Sequence, residues 1–234
     1  MLSKRIRNIT PSATAGMIGK VAALRAEGVE IIGFNAGEPD FPTPRKVVDA
    51  CKKALEEGKT KYTPFNGLGL AKEAVCCKLK KDNGLDYEPS QIVISTGAKQ
   101  ALTNAIFAIC DEGDEVIIPT PCYVSYVEVI KLTGANATLV ESNEDFSLNT
   151  ERIAAAVTPK TKAILINTPN NPTGAVYTEA ELKALGEVAE KNGLYVIADE
   201  VYEKLVYGEA KHVSIAALSP WLYEHTVTVN GLSK

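Results

Sequence analysis

Several features that would mark a particular class of protein are scarce or missing in this chain of 234 residues. No apolar run approaches the ~18 residues that a membrane span needs. The basic N-terminus continues into a polar stretch, residues 8–12, at the point where a signal peptide would be apolar. We therefore expect a cytoplasmic protein with no membrane partner.

Cysteine is sparse and follows no pattern. The five cysteines are odd in number and show no C-x-x-C spacing, so we expect neither a disulfide framework nor a metal site. The net charge of −4 offers no basic excess for a nucleic-acid partner. Neither G-x-G-x-x-G nor a Walker loop occurs, which argues against the common nucleotide-binding sites.

What the chain does contain, from about residue 90 onward, is a regular series of short runs rich in valine and isoleucine. They predict strands at residues 92–95, 115–119, 137–141, 163–167, 195–199 and 226–229. Runs without polar alternation are typical of strands that are covered on both faces. The prediction is an α/β fold, doubly wound, with a largely parallel sheet and helices on both faces.

Helical patterns lie between these runs. Residues 98–110 and 178–192 each place their apolar side chains on one face. The second segment opens with Thr178 and Glu181, which have the spacing of a capping box, and ends at Gly193. A further helix is predicted at residues 15–27, ahead of a proline-containing loop at residues 37–44.

Ligands of a parallel sheet bind at the carboxyl ends of its strands, so the groups that follow the predicted strands are of interest. A phosphate needs backbone N–H groups at a helix N-terminus, which Thr96, Gly97 and Ala98 supply. A pyridine-type ring acts as an electron sink when a buried carboxylate holds its nitrogen protonated, and Asp199 ends an apolar strand where that carboxylate is needed.

The side chains at the remaining strand ends would contact other parts of the same ligand. Tyr202 and Asn171 offer a phenol and an amide to a ring oxygen, Tyr123 offers a stacking ring, and Lys234 offers an amine for an aldehyde. Each group taken alone has an ordinary explanation: a packing aromatic, a turn residue, a cap or metal ligand for Asp199, a solvated lysine. The agreement of five strand ends favours one shared ligand.

Six motifs in matching order carry a resemblance to the fold-type I pyridoxal-phosphate (PLP) aminotransferases, closest to the prokaryotic-type aspartate aminotransferases. They are NAGEPDF (35–41), KYTPFNG (61–67), STGAKQAL (95–102), NTPNNPTG (167–174), ADEVY (198–202) and VNGLSK (229–234). The resemblance implies PLP as cofactor, an amino acid and a 2-oxo acid as substrates, and a homodimer with shared active sites. It also implies a PLP-binding large domain at residues 46–234, preceded by an N-terminal arm and part of a small domain at residues 1–45.

The resemblance assigns a role to each motif residue. Lys234 would attach to the cofactor and later move the substrate proton, and Asp199 would bind the pyridine nitrogen. Tyr202 and Asn171 would hold the ring oxygen, with Tyr123 stacked on the ring. The remaining assignments are Gly97, Ala98 and Lys99 at the phosphate, Gly37 with Asn171 at the substrate, and Tyr62 at the phosphate of the neighbouring subunit.

The chain also departs from the family pattern. Gly231 stands where many relatives have a serine or threonine near the phosphate, so that role is not carried over. Relatives continue well past the lysine and supply there two arginines, one for the phosphate and one for the substrate carboxylate. We therefore expect the 234-residue chain alone to be unstable and inactive.

Two other functions stay open on the same residues. One is a PLP-dependent carbon–sulfur β-lyase, because a fold does not determine a reaction. The other is a non-catalytic PLP-binding domain of a transcription regulator, although the first ~45 residues lack a basic DNA-binding segment.

Overall fold

The computed structural model describes residues 2–10, 13–34 and 37–234. Its centre is a five-stranded sheet in which each strand runs parallel to its neighbours, in the order β2-β1-β3-β4-β5. The strands are β1 (Glu115–Thr120), β2 (Asn136–Glu141), β3 (Thr161–Asn167), β4 (Tyr195–Asp199) and β5 (Thr226–Val229). Five of the six predicted strands, and the parallel doubly wound sheet, are confirmed.

Helices lie on both faces of this sheet. In chain order they are α1 (Lys4–Arg7), α2 (Ala13–Ala26), α3 (Arg45–Glu56), α4 (Gly69–Asn83), α5 (Ala98–Ile109), α6 (Ser125–Thr133), α7 (Thr150–Ala155), α8 (Glu179–Asn192) and α9 (Pro220–His225). Short 3₁₀ turns occur at Pro89–Gln91 and Ile215–Ala217. The predicted helices correspond to α2, α5 and α8.

The core is divided by the sheet into two clusters. Ile117 of β1 packs with α7, α8 and α9 on one face, whereas its neighbours Val116 and Ile118 pack with α5 and α6 on the other. This alternation explains why the central strands β1, β3 and β4 read as apolar runs, since most of their positions meet a covered face. Gly186 of α8 lies so close to α9 that a Cβ there would stand 2.8 Å from Leu222.

Local signals set the ends of α8 as the sequence predicts. Thr178 accepts a hydrogen bond from the Glu181 N–H, and the Glu181 side chain accepts one from the Thr178 N–H. At the other end Gly193 adopts a left-handed conformation, with φ of 63°, and stops the helix. The predicted capping box and glycine stop are both confirmed.

The strand predicted at residues 92–95 is wrong. The segment forms no strand ladder. Its one backbone hydrogen bond to a distant part of the sequence runs from the Ile94 N–H to the Asn66 carbonyl. A cavity of about 370 Å³ is bordered by Ile92 of this segment and Val227 of β5, with Tyr87 and Tyr223 among its other lining residues. An apolar run therefore identified a segment suited to a sheet, but a strand requires a hydrogen-bonding neighbour, which none of the described residues supplies.

The N-terminal region, which we define as residues 2–78, differs from the rest. None of its residues whose side chains are described is buried, and burial begins at Leu79 in α4. The proposed boundary between residues 45 and 46 stays a prediction. Among the described residues, no helix combines the length and apolar character needed to cross a membrane.

Candidate active site

The carboxyl ends of β3, β4 and β5 meet at one edge of the sheet. In the strand register Asn167 lies beside Asp199, and Asp199 lies beside Val229. The Asn167 amide donates to the Asp199 carbonyl over 2.9 Å, and its Oδ1 accepts from the Asn171 N–H over 2.7 Å. The loop after β3 is thereby held against the end of β4, which positions the side chains described next.

Asp199 is a buried ionisable group of this edge, with 4% of its surface exposed. Its Oδ2 accepts a hydrogen bond from the Tyr126 hydroxyl at 2.7 Å, and its Oδ1 accepts from the Val201 N–H at 3.2 Å. Burial raises the pKa of Asp199, although these two hydrogen bonds act in the opposite direction. A carboxylate so buried, with a phenol and an N–H as its described donors, suits a cationic partner on its open side.

Tyr126 is a residue that the sequence analysis missed. It is 2% exposed on α6, and its ring meets that of Tyr123 edge-on at 5.5 Å. Burial and the neighbouring Asp199 raise the pKa of this tyrosine, so its hydroxyl stays a hydrogen-bond donor. The only sequence signal for it was its spacing, three residues after Tyr123 at the start of a helix, and that spacing is equally typical of core packing.

Tyr202 and Asn171 are brought together as the sequence analysis expected. The Asn171 amide donates to the Tyr202 hydroxyl over 3.0 Å. Burial raises the pKa of Tyr202, with the Asn171 hydrogen bond acting against it and Asp199 adding to it. The pair places a phenol and an amide beside the buried carboxylate.

Lys234 lies at the same edge. Its Nζ is 5.7 Å from the centre of the Tyr202 ring and donates to the carbonyl oxygen of Gly37. The structure thus brings Gly37 to Lys234 from a distant part of the sequence. Asn35 and Ala36, which precede Gly37 in the first motif, lie outside the described residues.

The start of α5 forms the far side of the site. Gly97 has a φ of 80°, a backbone conformation that side chains disfavour, and its N–H donates to the Ser95 carbonyl. The Thr96 N–H donates to the Gln100 side chain. Among the described residues the N–H groups of Ala98 and Lys99 have no acceptor, so they are the donors that remain for an anion.

Lys99 and Tyr123 connect this helix start to the carboxylate. The Lys99 Nζ stands 5.7 Å from the centre of the Tyr123 ring, which in turn contacts Tyr126. Nine of the ten predicted site residues therefore fall in one connected group, from Gly97, Ala98 and Lys99 through Tyr123 to Asp199, Tyr202, Asn171, Lys234 and Gly37. The tenth, Tyr62, is fully exposed and stands apart from that group.

The arrangement suits a ligand with an anion at one end, a flat ring bearing a protonated nitrogen, and an electrophilic carbon near an amine. The anion would meet the first turn of α5, and the ring nitrogen would meet Asp199. The hydroxyl and amide of Tyr202 and Asn171 would meet an oxygen on the ring, and Lys234 would reach the carbon. PLP has these parts, so the residues present fit that cofactor.

Comparison with known proteins gives consistent results. Residues 29–234 match the family model for aminotransferase class I and II. The chain is 52% identical over 235 residues to the aspartate aminotransferase of Geobacillus stearothermophilus and 48% identical to a probable aspartate/prephenate aminotransferase of Aquifex aeolicus. Each comparison covers 100% of this chain and 60% of the relative, so the chain spans about 60% of the length of these relatives.

Solved structures give the same picture. The aspartate aminotransferase from Thermus thermophilus with maleate superposes with a TM-score of 0.96 at 44% identity. The comparison covers 100% of this chain and 61% of that one.

Proposed function

Because the chain belongs to the class I and II aminotransferase family, we propose that the whole protein is a PLP-dependent aminotransferase. It would move an amino group between an amino acid, aspartate by default, and a 2-oxo acid such as 2-oxoglutarate. The observation that carries the proposal is the connected group at the strand ends, in which a buried carboxylate, a phenol–amide pair and a lysine amine lie side by side.

Each residue has a role in holding the cofactor. Asp199 would pair with the pyridine nitrogen, while Tyr202 and Asn171 would bind the ring oxygen. Tyr123 would stack on the ring. The first turn of α5 would bind the phosphate through the N–H groups of Ala98 and Lys99, with Gly97 as the N-cap that lets the backbone approach. When bound, PLP supplies an electron sink for the charge that develops on the substrate α-carbon.

The chain's own residues would then handle the proton. Lys234 would act as the general base that removes it from the substrate α-carbon, and the same Nζ would hold the proton for its return. Tyr126 favours ionised Asp199 through its hydrogen bond, and the ionised form is the one that can keep a ring nitrogen protonated. The Gly37 N–H would orient the substrate by its α-carboxylate, with Asn171 beside it.

The substrate assignment rests on the relatives. The names of the two relatives reported above specify aspartate and aspartate/prephenate. The Thermus thermophilus structure contains maleate, which is a dicarboxylate. A dicarboxylic amino acid is therefore the proposed donor. Another neighbour is an aromatic aminotransferase from Pyrococcus horikoshii, so an aromatic donor is the alternative to include in any screen.

A homodimer with shared active sites is part of the proposal. Its support is the exposed apolar surface of the N-terminal region, where Phe34, Phe65 and Tyr62 are almost fully open to solvent. Tyr62 would reach the cofactor phosphate of the neighbouring subunit. Such an arrangement would explain why a motif residue lies apart from the nine that the chain itself gathers.

The test is a borohydride trap on the full-length protein. PLP is added, the visible spectrum is recorded, and the protein is reduced and mapped by mass spectrometry. We expect a visible band and a pyridoxyl label on Lys234, and a Lys234→Arg variant that is folded but unlabelled. Lys160→Arg, a change at an exposed lysine, is the matched control and keeps the label.

A donor screen then separates transamination from the lyase reaction. A transaminase needs a 2-oxo acid acceptor for continued turnover, whereas a lyase releases its product without one. Steady turnover of aspartate that depends on 2-oxoglutarate supports the proposal. A folded, dimeric protein with neither band nor label on Lys234 would overturn it.

A further inference from the structure

A second polar cluster lies at the ends of β4 and β5, the strands that carry the candidate active site. Glu203, in the turn that follows β4, has 6% of its side chain exposed and forms an ion pair with Lys78 of α4. Its Oε2 accepts from the Asn83 amide at 2.8 Å and from the Asn230 amide at 3.0 Å. We call Glu203, Asn230, Asn83 and Lys78 the strand-end clamp.

The clamp joins the two loops that carry the chemistry. Glu203 follows Tyr202 directly in the chain, and Asn230 is the first residue after β5, on the loop that ends at Lys234. The hydrogen bond between them is thus a direct cross-link between the phenol-bearing turn and the lysine-bearing loop. A backbone bond from the Glu200 N–H to the Val229 carbonyl, at 2.8 Å, brings the same two strand ends together.

Both ends of the Asn230 side chain are used. Its amide donates to Glu203, and its Oδ1 accepts from the N–H of Gly231 at 2.7 Å. The first peptide of the lysine loop is therefore oriented by a side chain whose other end is anchored to Glu203. Burial acts to raise the pKa of Glu203, but the bonds from Lys78 and Asn83 outweigh it and lower that pKa, so the carboxylate remains an ionised acceptor at neutral pH.

We propose that Asn230 and Glu203 are positioning residues that set the placement of Lys234 relative to Tyr202. The inference rests on the proposed function, because the placement matters when the Lys234 nitrogen bonds to an aldehyde carbon with loss of one water molecule. The clamp touches neither Lys234 nor the ring site. It acts through the backbone of the three residues, 231–233, that connect Asn230 to the lysine.

A cation site is the other use these groups suggest, since Glu200, Glu203 and His212 bring three ligand-type atoms within 4.8 Å of one another. The charge balance favours the clamp. Lys78 already pairs with Glu203, and Ser214 and His212 contact Glu200 at 2.6 Å and 3.1 Å. Both oxygens of Glu203 and the Oε2 of Glu200 thus already have protein partners, and of these carboxylate oxygens only Glu200 Oε1 has none among the described residues.

Two ligands distinguish positioning from general support. Pyridoxal phosphate can join covalently to Lys234, whereas pyridoxamine phosphate has no aldehyde and binds through the remaining contacts alone. We would measure the affinity of the full-length apo-protein for both and take their ratio. Asn230→Ala is expected to lower the preference for pyridoxal phosphate about tenfold, with less than about a twofold change for pyridoxamine phosphate.

Three further variants complete the experiment. Asn230→Ser keeps a hydroxyl for the Gly231 N–H but is too short for Glu203, and it should reproduce the loss if Asn230→Ala folds poorly. Asp82→Asn breaks the exposed ion pair with Lys204, which also joins α4 to the turn after β4, and should leave the ratio unchanged. In a Lys234→Ala background, Asn230→Ala should no longer alter the ratio.

The outcomes are distinct. Equal weakening of both ligands in Asn230→Ala, or the same loss of preference in Asp82→Asn, overturns the positioning role and leaves the clamp as ordinary core packing. A wild-type protein that binds neither ligand overturns the proposed function itself, and with it the role of Asn230.

Discussion

Two amphipathic helices show how differently the two parts of this chain are built. In α8 the apolar side chains Leu182 and Leu185 are completely buried against the sheet. In α3, which also has an apolar face, Val47 and Leu55 remain 56% and 60% exposed. An amphipathic pattern therefore indicates that one face of a helix is suited to burial, but does not identify what covers it.

The same contrast holds for the two regions as wholes. Every buried residue of the described chain lies in residues 79–229, which we call the α/β body together with the final loop to Lys234. The N-terminal region nevertheless contributes Gly37 to the candidate site and carries Tyr62 exposed. The body holds eight of the nine grouped site residues, whereas the N-terminal region presents a largely exposed surface.

The largest expected effect is on turnover, and it compares Lys234 of the body with Lys61 of the N-terminal region. Lys234→Ala should reduce turnover of the full-length protein by at least about 10³-fold, because it removes both the covalent anchor and the general base. Lys61→Ala, at an exposed lysine beside Tyr62, should stay within a few-fold of wild type. Both variants are compared by their steady-state rates with aspartate and 2-oxoglutarate. Comparable losses of turnover would contradict the assignment of the catalytic lysine to the body.

The next effect concerns stability and compares the two helices directly. Leu182→Ala should lower the free energy of unfolding by about 3 kcal/mol, since it leaves a cavity in a fully buried site. Leu55→Ala should change it by less than about 0.5 kcal/mol if the apolar face of α3 stays open to solvent. Urea unfolding of the full-length protein gives both values.

A large loss in Leu55→Ala would break the comparison in an informative way. It would mean that α3 is covered in the folded protein by residues beyond those described or by a second subunit. Dilution then separates the two explanations, because only coverage by a second subunit depends on protein concentration.

Much of the α/β body could be predicted from the sequence because its signals are local. Valine- and isoleucine-rich runs and the Thr178–Glu181 capping box each depend on a few neighbouring residues, and the strands and α8 followed. The segment at residues 92–95 has the same composition but forms no strand, because pairing depends on a neighbour that composition does not specify.

The residues of the candidate site also differ in whether the sequence alone could identify them. Five of the nine grouped residues could be gathered because parallel strands bring their carboxyl ends to one edge: Tyr123, Asn171, Asp199, Tyr202 and Lys234. The residues at the start of α5 follow a segment that forms no strand, and Gly37 came from the motif resemblance alone. Tyr126 and the strand-end clamp could not be found that way. Tyr126 reaches Asp199 from a helix 73 residues away, and Asn83 reaches Glu203 across 120 residues, and no local pattern marks either contact.

Tyr126→Phe tests the buried contact through its pH dependence. Burial raises the native pKa of Asp199 above its unfolded value of about 3.9, so the native state keeps a proton that the unfolded state has lost. Stability of the apo-protein therefore falls as the pH rises through the native pKa. Removing the Tyr126 hydroxyl raises that pKa further, and we expect a loss of about 2 kcal/mol at pH ~7 that nearly vanishes near pH ~3.5.

Tyr123→Phe is the matched control for this prediction, since it removes a hydroxyl from the adjoining ring while Tyr126 still donates to Asp199. Unfolding free energies of both apo-variants across this pH range decide the matter. A loss in Tyr126→Phe that is independent of pH would show that the tyrosine hydroxyl supports packing and does not favour ionised Asp199.

The smallest expected effect asks whether the exposed N-terminal region takes part in the site after all. Tyr62→Phe removes one hydroxyl, and if that hydroxyl binds the phosphate in a neighbouring subunit, PLP affinity should fall about tenfold. Phe65→Leu, at a comparably exposed aromatic of the same motif, serves as the control. The decisive measurement is how PLP affinity depends on protein concentration. Wild type and Tyr62→Phe should differ in affinity as dimers and should have the same affinity after dilution to monomers, because a contact between subunits is lost on dissociation. A contact made within one subunit would persist in the monomer. A difference in PLP affinity that persists in the monomer would mean that Tyr62 acts within its own subunit, which contradicts the shared-site proposal. No difference at any concentration would mean that Tyr62 does not bind the cofactor.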